Sequence, residues 1–151
     1  MHDDRALKLD AQLCFALHAT SRAVVQAYEP LLASLGVTYP QYLALLVLWE
    51  KDGATIGELG ERLFLDSGTL TPLAKRLEAS GFVRRQRSKT DERVVEVWLT
   101  AKGRGAKVRA RAIPKNMLCR FGLTAEGASA LREQLTRLFH QTKKNQETTR
   151  P

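Results

Sequence analysis

The chain has 151 residues, the length of one ordinary domain, and hydrophobic residues make up 44% of it. This composition excludes a fully disordered chain and a fibrous repeat. Lysine and arginine number 24 against 16 aspartate and glutamate, and the resulting net charge of +8 favours a polyanionic partner, above all nucleic acid.

The sequence predicts neither a membrane segment nor a metal or cofactor site. No apolar run approaches the roughly 18 to 20 residues that span a bilayer, and the polar start lacks a signal peptide's plan, so we expect a cytoplasmic protein. Two cysteines, Cys14 and Cys119, are too few for a disulfide framework, and a reducing cytosol keeps them as thiols until something oxidises them. The histidines lack ligand-like spacing with these cysteines; they are His2, His18 and His140.

Two helices are predicted at the start of the chain. Apolar residues over 9–35 recur at intervals of three, four or seven, which indicates one long helix that Pro30 kinks or interrupts and Gly36 ends. Thr38, with glutamine three residues later, forms a capping box that opens a second helix, and Gly53 ends it. The second helix is almost uniformly apolar, so we expect it at the centre of the fold.

A helix-turn-helix pattern follows. Thr55, with glutamate three residues later, opens a short third helix. Ser67 is predicted to cap a fourth helix, which buries three leucines on one face and ends at Gly81. Two short helices joined by a tight connection are typical of a helix-turn-helix.

Beyond Gly81 the apolar period changes to two. Alternating residues over 94–99 predict a strand, which pairs with an antiparallel strand at 82–87 through a turn at 88–92. The order of elements predicts a mainly α protein with a small β-hairpin wing (α+β), in which a winged helix-turn-helix lies between flanking helices.

The end of the chain predicts two more helices. Thr100 caps the fifth helix, which is stressed at Pro114, and Thr124 caps the sixth. The polar residues 143–151 are expected to form a flexible tail.

The basic charge is concentrated in one segment. Residues 75–109 carry 11 basic and 4 acidic side chains, whereas residues 1–66 carry 5 and 9. This segment contains the fourth helix and the hairpin, which a winged helix presents to DNA, although a basic cluster taken alone is more often a solvated face. The residues predicted to face DNA are Ser67, Thr69, Thr71, Pro72, Lys75 and Arg76 on the helix, and Arg87, Lys89, Asp91 and Arg93 on the hairpin.

Four segments carry a resemblance to a known family. They are LDAQLCFAL at 9–17, LGVTYPQYL at 35–43, LDSGTLTPL at 65–73 and DER at 91–93. Together they resemble the MarR-type winged-helix transcription regulators. The first two are similar to one branch, the organic-hydroperoxide-resistance repressors of OhrR type, and the resemblance covers residues 9–139.

The resemblance implies a homodimer on double-stranded DNA with an inverted-repeat operator. Residues 1–36 and 101–142 would form the dimerisation helices around a winged helix-turn-helix at 38–100. Arg93 at the wing tip would enter the minor groove with Asp91 orienting it, which suits a guanidinium and a narrow groove. As a residue, Asp91 is equally well explained as part of a plain turn.

The resemblance also implies a thiol sensor. Cys14 matches the peroxidatic cysteine, Tyr28 and Tyr39 match tyrosines that bind it from the other subunit, and Cys119 matches the resolving cysteine of the two-cysteine subclass. By residue type alone, Cys14 is more often a small buried hydrophobe, and Cys119 can be inert. His18, one turn after Cys14 where relatives often carry tyrosine, either helps hold the thiolate or simply packs.

The function expected from these features is a repressor that organic hydroperoxides release from its operator, and not an enzyme. Three alternatives differ in the signal or the class of protein. One is a MarR-type repressor released by a small aromatic ligand, another is a thiol peroxidase, and the third is a nucleoid protein that binds DNA without sequence preference. A thiol peroxidase has no use for a basic wing and a recognition helix, and the chain has no Cys-x-x-Cys motif for recycling.

Overall fold

The computed structural model describes residues 4–148, with side chains up to residue 146; residues 1–3, which include His2, and 149–151 lie outside the described part. Two 3₁₀ turns, seven α-helices and one antiparallel sheet make up this part, which confirms the predicted fold class. The helices are α1 (Leu13–Ala33), α2 (Tyr39–Glu50), α3 (Ile56–Leu63), α4 (Ser67–Ala79), α5 (Ala101–Ala110), α6 (Ile113–Phe121) and α7 (Ala125–Thr148). The strands are β1 (Ala54–Thr55), β2 (Val83–Arg87) and β3 (Val95–Leu99). The chain divides into two compact units between Arg111 and Ala112.

Helix α1 begins later than the sequence predicts. Its first residue is Leu13, because Gln12 has an extended backbone and its side-chain amide donates to the carbonyl groups of Ala6 and Lys8. Pro30 lies inside α1 without ending it. Gly36 closes the helix as predicted, since its positive φ of 74° lets its N–H reach the carbonyl of Leu32 at 3.0 Å.

Local signals set the starts of the next helices. The N–H of Thr38 donates to Gln41 Oε1 at 2.9 Å at the start of α2, which agrees with the predicted capping box. At α3 the N–H of Thr55 donates to Glu58 Oε2 at 2.8 Å, and the Glu58 N–H donates back to Thr55 Oγ1 at 3.1 Å.

The predicted cap of α4 is wrong by one residue. Asp66, not Ser67, has the extended backbone of an N-cap, and its Oδ1 accepts the N–H of Thr69 at 2.7 Å. Ser67 is instead the first helical residue, so its hydroxyl is not needed for capping.

The sheet has three strands in the order β1-β3-β2, so the wing (residues 83–99) is one strand wider at its base than the predicted hairpin. The predicted pairing is confirmed, with Arg85 opposite Val97. Strand β1, where Ala54 also lies opposite Val97, was missed because two residues are too few to show a period. Val97 and Leu99 are buried, in agreement with the predicted alternation.

The core lies beneath the helix-turn-helix. Leu45 and Leu48 of α2 pack in the same unit as Leu70 and Leu77 of α4, and each is at most 1% exposed. Burying such side chains contributes about 1.5–3 kcal/mol each relative to leaving them exposed. The inner face of α4 is therefore fixed by the core, and its outer face is left for another role.

The fifth predicted helix is two helices. Thr100 Oγ1 caps α5 by accepting the N–H of Gly103 at 3.1 Å, but α5 ends at Ala110. Pro114 lies in the first turn of α6, where its missing N–H costs no hydrogen bond, so it starts a helix and does not strain one. Cys119 therefore lies on α6.

Helix α7 is longer than predicted. Thr124 Oγ1 accepts the N–H of Gly127 at 3.1 Å, as expected of a cap. The helix continues to Thr148, whereas a flexible tail was predicted from Lys143, because the polar residues there include no glycine or proline to stop it. None of the described helices combines the length and apolarity needed to cross a membrane.

At Gly103, helix α5 lies against Phe82, the residue before β2. A Cβ there would lie 2.1 Å from the carbonyl oxygen of Phe82, and the Gly103 carbonyl accepts the indole N–H of Trp49 at 2.9 Å. Only glycine fits between these elements.

We expect Gly103→Ala to lower the free energy of unfolding by about 2–3 kcal/mol, because backbone would have to move to admit the methyl group. Gly105→Ala in the same helix is the control: a Cβ there meets nothing within 4 Å, so alanine should stabilise by up to about 1 kcal/mol. Urea denaturation of both variants measures the difference. Equal effects would show that the close approach at Gly103 is not a constraint.

Candidate nucleic-acid interface and thiol sensor

The outer face of α4 carries most of the residues predicted to meet DNA. Its leucines point into the core, and the exposed positions are Ser67, Thr69, Pro72, Lys75 and Arg76. Thr71 is half-buried. The face is small, polar and positively charged, which suits base edges and phosphates in a major groove.

Asp66 also lies on this surface. It is the cap of α4, a role that the sequence pattern assigned to Ser67. Hydrogen bonds from Thr69, first of all from its backbone N–H, hold the pKa of the Asp66 carboxyl below its ordinary value. The sequence did contain a signal for this cap, because aspartate is as good an N-cap residue as serine. The first amide groups of α4 thus already have an anionic partner.

The wing tip holds an arginine in a fixed orientation. Arg93 donates through Nε to Asp91 Oδ1 at 3.1 Å and through Nη2 to Oδ2 at 3.2 Å. These bonds, with one from the Arg93 backbone N–H, lower the pKa of Asp91. Asp91 also forms the turn, because its carbonyl accepts the N–H of Val94 at 2.9 Å. The Arg93 side chain is nevertheless 91% exposed, so it is held in place and remains accessible.

Several of the 11 cations in residues 75–109 are bonded within the protein. Arg85 of β2 pairs with Glu78 of α4 at 2.9 Å, which also lowers the pKa of that carboxyl, mainly through the Arg85 backbone N–H. Four cations of α5 donate to main-chain carbonyl groups; they are Lys102, Arg104, Lys107 and Arg109. The cations on the exposed surface of α4 and the wing are Lys75, Arg76, Arg84, Arg87, Lys89 and Arg93.

Both thiols lie on the surface of the single chain. Cys14 is the second residue of α1 and is exposed, as is Cys119 on α6. Neither is therefore a small buried hydrophobe within its own chain. His18 is also exposed, one helical turn after Cys14. Among residues 4–148, no group of three or more His, Cys, Asp or Glu side chains could hold a metal ion.

The predicted tyrosines form an aromatic cluster. The ring centroids of Tyr28 and Tyr39 are 4.6 Å apart, and Tyr42 lies 5.9 Å from Tyr28. Burial, with a smaller effect of the neighbouring tyrosines, raises the pKa of Tyr28 to about 12. Burial also raises the pKa of Tyr39 and Tyr42, so all three phenols are protonated donors at neutral pH. Tyr42 was missed, although it follows Tyr39 at helical spacing.

Helix geometry separates Cys14 from the tyrosines within one chain. Cys14 and Tyr28 lie 14 residues apart on the continuous helix α1. At 1.5 Å per residue, this spacing is about 21 Å along the axis. A Tyr28 hydroxyl cannot reach the thiol of its own chain over this distance.

Comparisons with known proteins give the family. A family model described as transcriptional regulator SarA/Rot matches residues 26–109. The chain is 53% identical over 132 residues to the HTH-type transcriptional regulator TtmR of Methylorubrum extorquens, covering 87% of this chain and 68% of that protein. It is 47% identical over 133 residues to the organic hydroperoxide resistance transcriptional regulator of Bacillus subtilis, covering 88% of each. The chain belongs to the MarR-type transcriptional regulators, as an OhrR-like member.

Solved structures agree with this assignment. The chain resembles reduced, DNA-bound AbfR, a protein of Staphylococcus epidermidis, with 37% identity and a TM-score of 0.77 over 93% of this chain and 99% of AbfR. Structures of AbfR overoxidised on DNA and in a disulfide form match with TM-scores of 0.74 and 0.62. In this MarR-type regulator, which binds DNA, α4 is the second helix of the helix-turn-helix, and β2 and β3 form the wing.

We expect Asp66→Ala to lower the free energy of unfolding at neutral pH, because it removes the cap of α4. The pKa of Asp66 is lowered on folding, so its contribution is present above the ordinary carboxyl pKa of about 4 and is lost as the pH falls through the lower folded value. The difference from wild type should therefore shrink in acid. Urea denaturation across this range tests it, with Ser67→Ala, which removes no cap, as the control. A larger loss for Ser67→Ala would contradict the assignment.

Proposed function

We propose that this regulator is a homodimeric repressor that organic hydroperoxides release from an inverted-repeat operator through oxidation of Cys14. The observation that carries the proposal is the exposed Cys14 at one end of α1, with Tyr28 about 21 Å further along the same helix, where it packs against Tyr39 of α2 as a protonated phenol. A second chain, running antiparallel along α1, would bring the two halves together.

The surface favours such a dimer. The chain exposes large apolar side chains before and at the start of α1; they are Leu7, Leu9, Leu13 and Phe15. Helix α7 separately exposes a stripe at helical spacing; it consists of Leu131, Leu135 and Leu138. Apolar surface of this extent is typical of an interface, and an isologous dimer would cover it on both copies at once. These residues support residues 1–36 and 101–142 as the dimerisation helices.

The proposed chemistry follows from the residues. The Cys14 thiolate attacks the O–O bond of a hydroperoxide, giving the sulfenic acid and releasing the alcohol. Tyr28 and Tyr39 of the partner subunit would donate hydrogen bonds to the thiolate, and the apolar residues near Cys14 would favour alkyl over hydrogen peroxide. The thiol of Cys119 from the partner subunit then displaces the sulfenic oxygen as water and forms an intersubunit disulfide. The similarity to AbfR, whose structures include a disulfide form, supports this step.

His18 has a place in the same proposal. It is one turn from Cys14, and a protonated imidazole there would favour the thiolate. His18→Phe should then slow the oxidation of Cys14, whereas a side chain that only packs would leave the rate unchanged.

The DNA contacts are assigned to the surface described above. Ser67, Thr69 and Pro72 at the start of α4 would read base edges, with Thr71 at the margin of this set. Lys75, Arg76, Arg87 and Lys89 would neutralise phosphates, which makes the affinity fall steeply with salt. Arg93, oriented by Asp91, would enter the minor groove.

Release would be a property of the dimer. A disulfide that joins helices of two chains would change their relative position, and the two recognition helices would no longer match successive major grooves. The protein then needs one turnover per signal, which distinguishes a sensor from a thiol peroxidase.

The DNA probe is a duplex that the reduced protein selects from a random pool. One equivalent of cumene hydroperoxide should convert the wild-type protein into a covalent dimer on a non-reducing gel. The same treatment should release the protein from the duplex. Cys14→Ser should give neither dimer nor release, and Cys119→Ser should add one oxygen at Cys14 by intact mass without a covalent dimer. If peroxide changes neither mass nor DNA affinity while a small aromatic acid releases the duplex, the ligand-responsive repressor replaces this proposal. Sustained peroxide consumption with a thiol reductant would favour the peroxidase.

Mixed dimers test whether the tyrosines act across the dimer. The split dimer pairs a Cys14→Ser chain with a Tyr28→Phe/Tyr39→Phe chain, so the remaining cysteine faces wild-type tyrosines. The matched dimer pairs a wild-type chain with a chain carrying all three substitutions, so its cysteine faces phenylalanines. We expect several-fold faster oxidation of Cys14 in the split dimer, measured by mass. The reverse order would show that the tyrosines act within one chain.

A further inference from the structure

The recognition helix and the wing are joined by one pair of side chains. Glu78 lies near the end of α4, and Arg85 lies in the middle of β2. Glu78 Oε1 accepts the backbone N–H of Arg85 at 2.7 Å, and Oε2 lies 2.9 Å from both Nε and Nη2. The side chains are half-buried, with 35% and 25% of their surfaces exposed.

The pair restrains the edge of the sheet. Strand β2 pairs with β3 on one side only, so N–H groups on its other side have no partner in the ladder. Glu78 accepts one of these groups, and the planar guanidinium next to it bonds only in a narrow range of orientations. The pair therefore limits both translation and rotation of β2 relative to α4.

The carboxylate within the strands of the wing does not perform this task. Glu96 of β3 accepts Gln86 Nε2 at 3.1 Å and Trp98 Nε1 at 3.0 Å, so these bonds remain within the sheet. Glu78 joins the sheet to the helix.

We propose that Glu78 is a positioning residue for DNA binding, which holds the wing at the angle where recognition helix and wing tip engage one duplex together. The proposal rests on the DNA contacts proposed for α4 and Arg93. When α4 and the wing are held rigidly together, their two DNA contacts act as linked binding modules. If the connection between them loosens, the effective concentration of the second contact falls after the first has formed. Glu78 would thus affect affinity without touching DNA.

A double-mutant cycle with the wing tip tests this role. The variants are Glu78→Ala, Glu78→Gln and Arg93→Ala, alone and combined, bound to a duplex that the wild-type protein selects from a random pool. We expect Arg93→Ala to weaken wild-type binding about tenfold, but less than twofold in the Glu78→Ala background, because the wing no longer docks there. Glu78→Gln, which keeps an oxygen for the Arg85 N–H, should give an intermediate result.

Glu50→Ala is the matched control. It removes another ion pair, with Arg62 at 2.6 Å, which is more exposed than the pair of Glu78 with Arg85 and does not join α4 to the wing. Arg93→Ala should still cost about tenfold in this background. Thermal melts confirm that each variant is folded, and Glu78→Gln carries the test if Glu78→Ala does not fold.

Additive effects, with the full tenfold loss retained in Glu78→Ala, would overturn the proposal. Hydroxyl-radical footprints separate its failure from that of the Arg93 contact. If Arg93→Ala leaves affinity unchanged but Glu78→Ala removes minor-groove protection at the flanks of the site, the Arg93 assignment fails and the positioning role stands. Unchanged flanking protection in Glu78→Ala would refute the positioning role whatever Arg93 does.

Discussion

Helix α5 holds the ends of four other elements. Its cations donate to carbonyl groups at the C-terminal ends of α1, α2, α4 and β3; the pairs are Arg109 with Ser34, Lys107 with Trp49, Lys102 with Ser80 and Arg104 with Leu99. The last carbonyls of a helix have no partner within it and carry the negative end of its dipole, so a cation suits each of the three helix ends. The helix that carries Cys14 and the elements proposed to meet DNA are therefore bonded to the same helix, α5.

The length of α1 determines where a signal can arise. Cys14 and Tyr28 lie on one continuous helix, so their distance within a chain cannot change much without unfolding it. The sensor proposed above, which uses both residues, would therefore require two chains, and its oxidation would act at their interface. Arg109 of α5 donates to the Ser34 carbonyl at the end of α1. A displacement of α1 would therefore also act on α5, which binds elements of the winged helix.

The sequence predicted the elements whose signals are local. Capping boxes at Thr38 and Thr55, a glycine at the end of α1 and the period of two in β3 each depend on residues a few positions apart. Strand β1 exists only because β3 pairs with it, and such a partner leaves no periodic trace in two residues. The choice of Asp66 over Ser67 as the cap depends on backbone angles that either residue type could adopt.

The charge of the 75–109 segment predicts a DNA-binding surface, but it counts cations that other groups of the protein already bind. Arg85 and the four α5 cations serve internal bonds, so the sum overstates what a polyanion meets. The carboxylates within and beside this segment, in turn, do not merely repel DNA. Asp66 is bonded to the Thr69 amide, Glu78 to Arg85 and Asp91 to Arg93, and these bonds lower all three pKa values. An anion already paired with an internal donor presents less free charge, and it fixes the helix, the strand or the arginine beside it. A basic surface that must be rigid as well as positive therefore needs carboxylates that hold its elements in place. Net charge alone cannot distinguish such a surface from a basic face that is merely solvated.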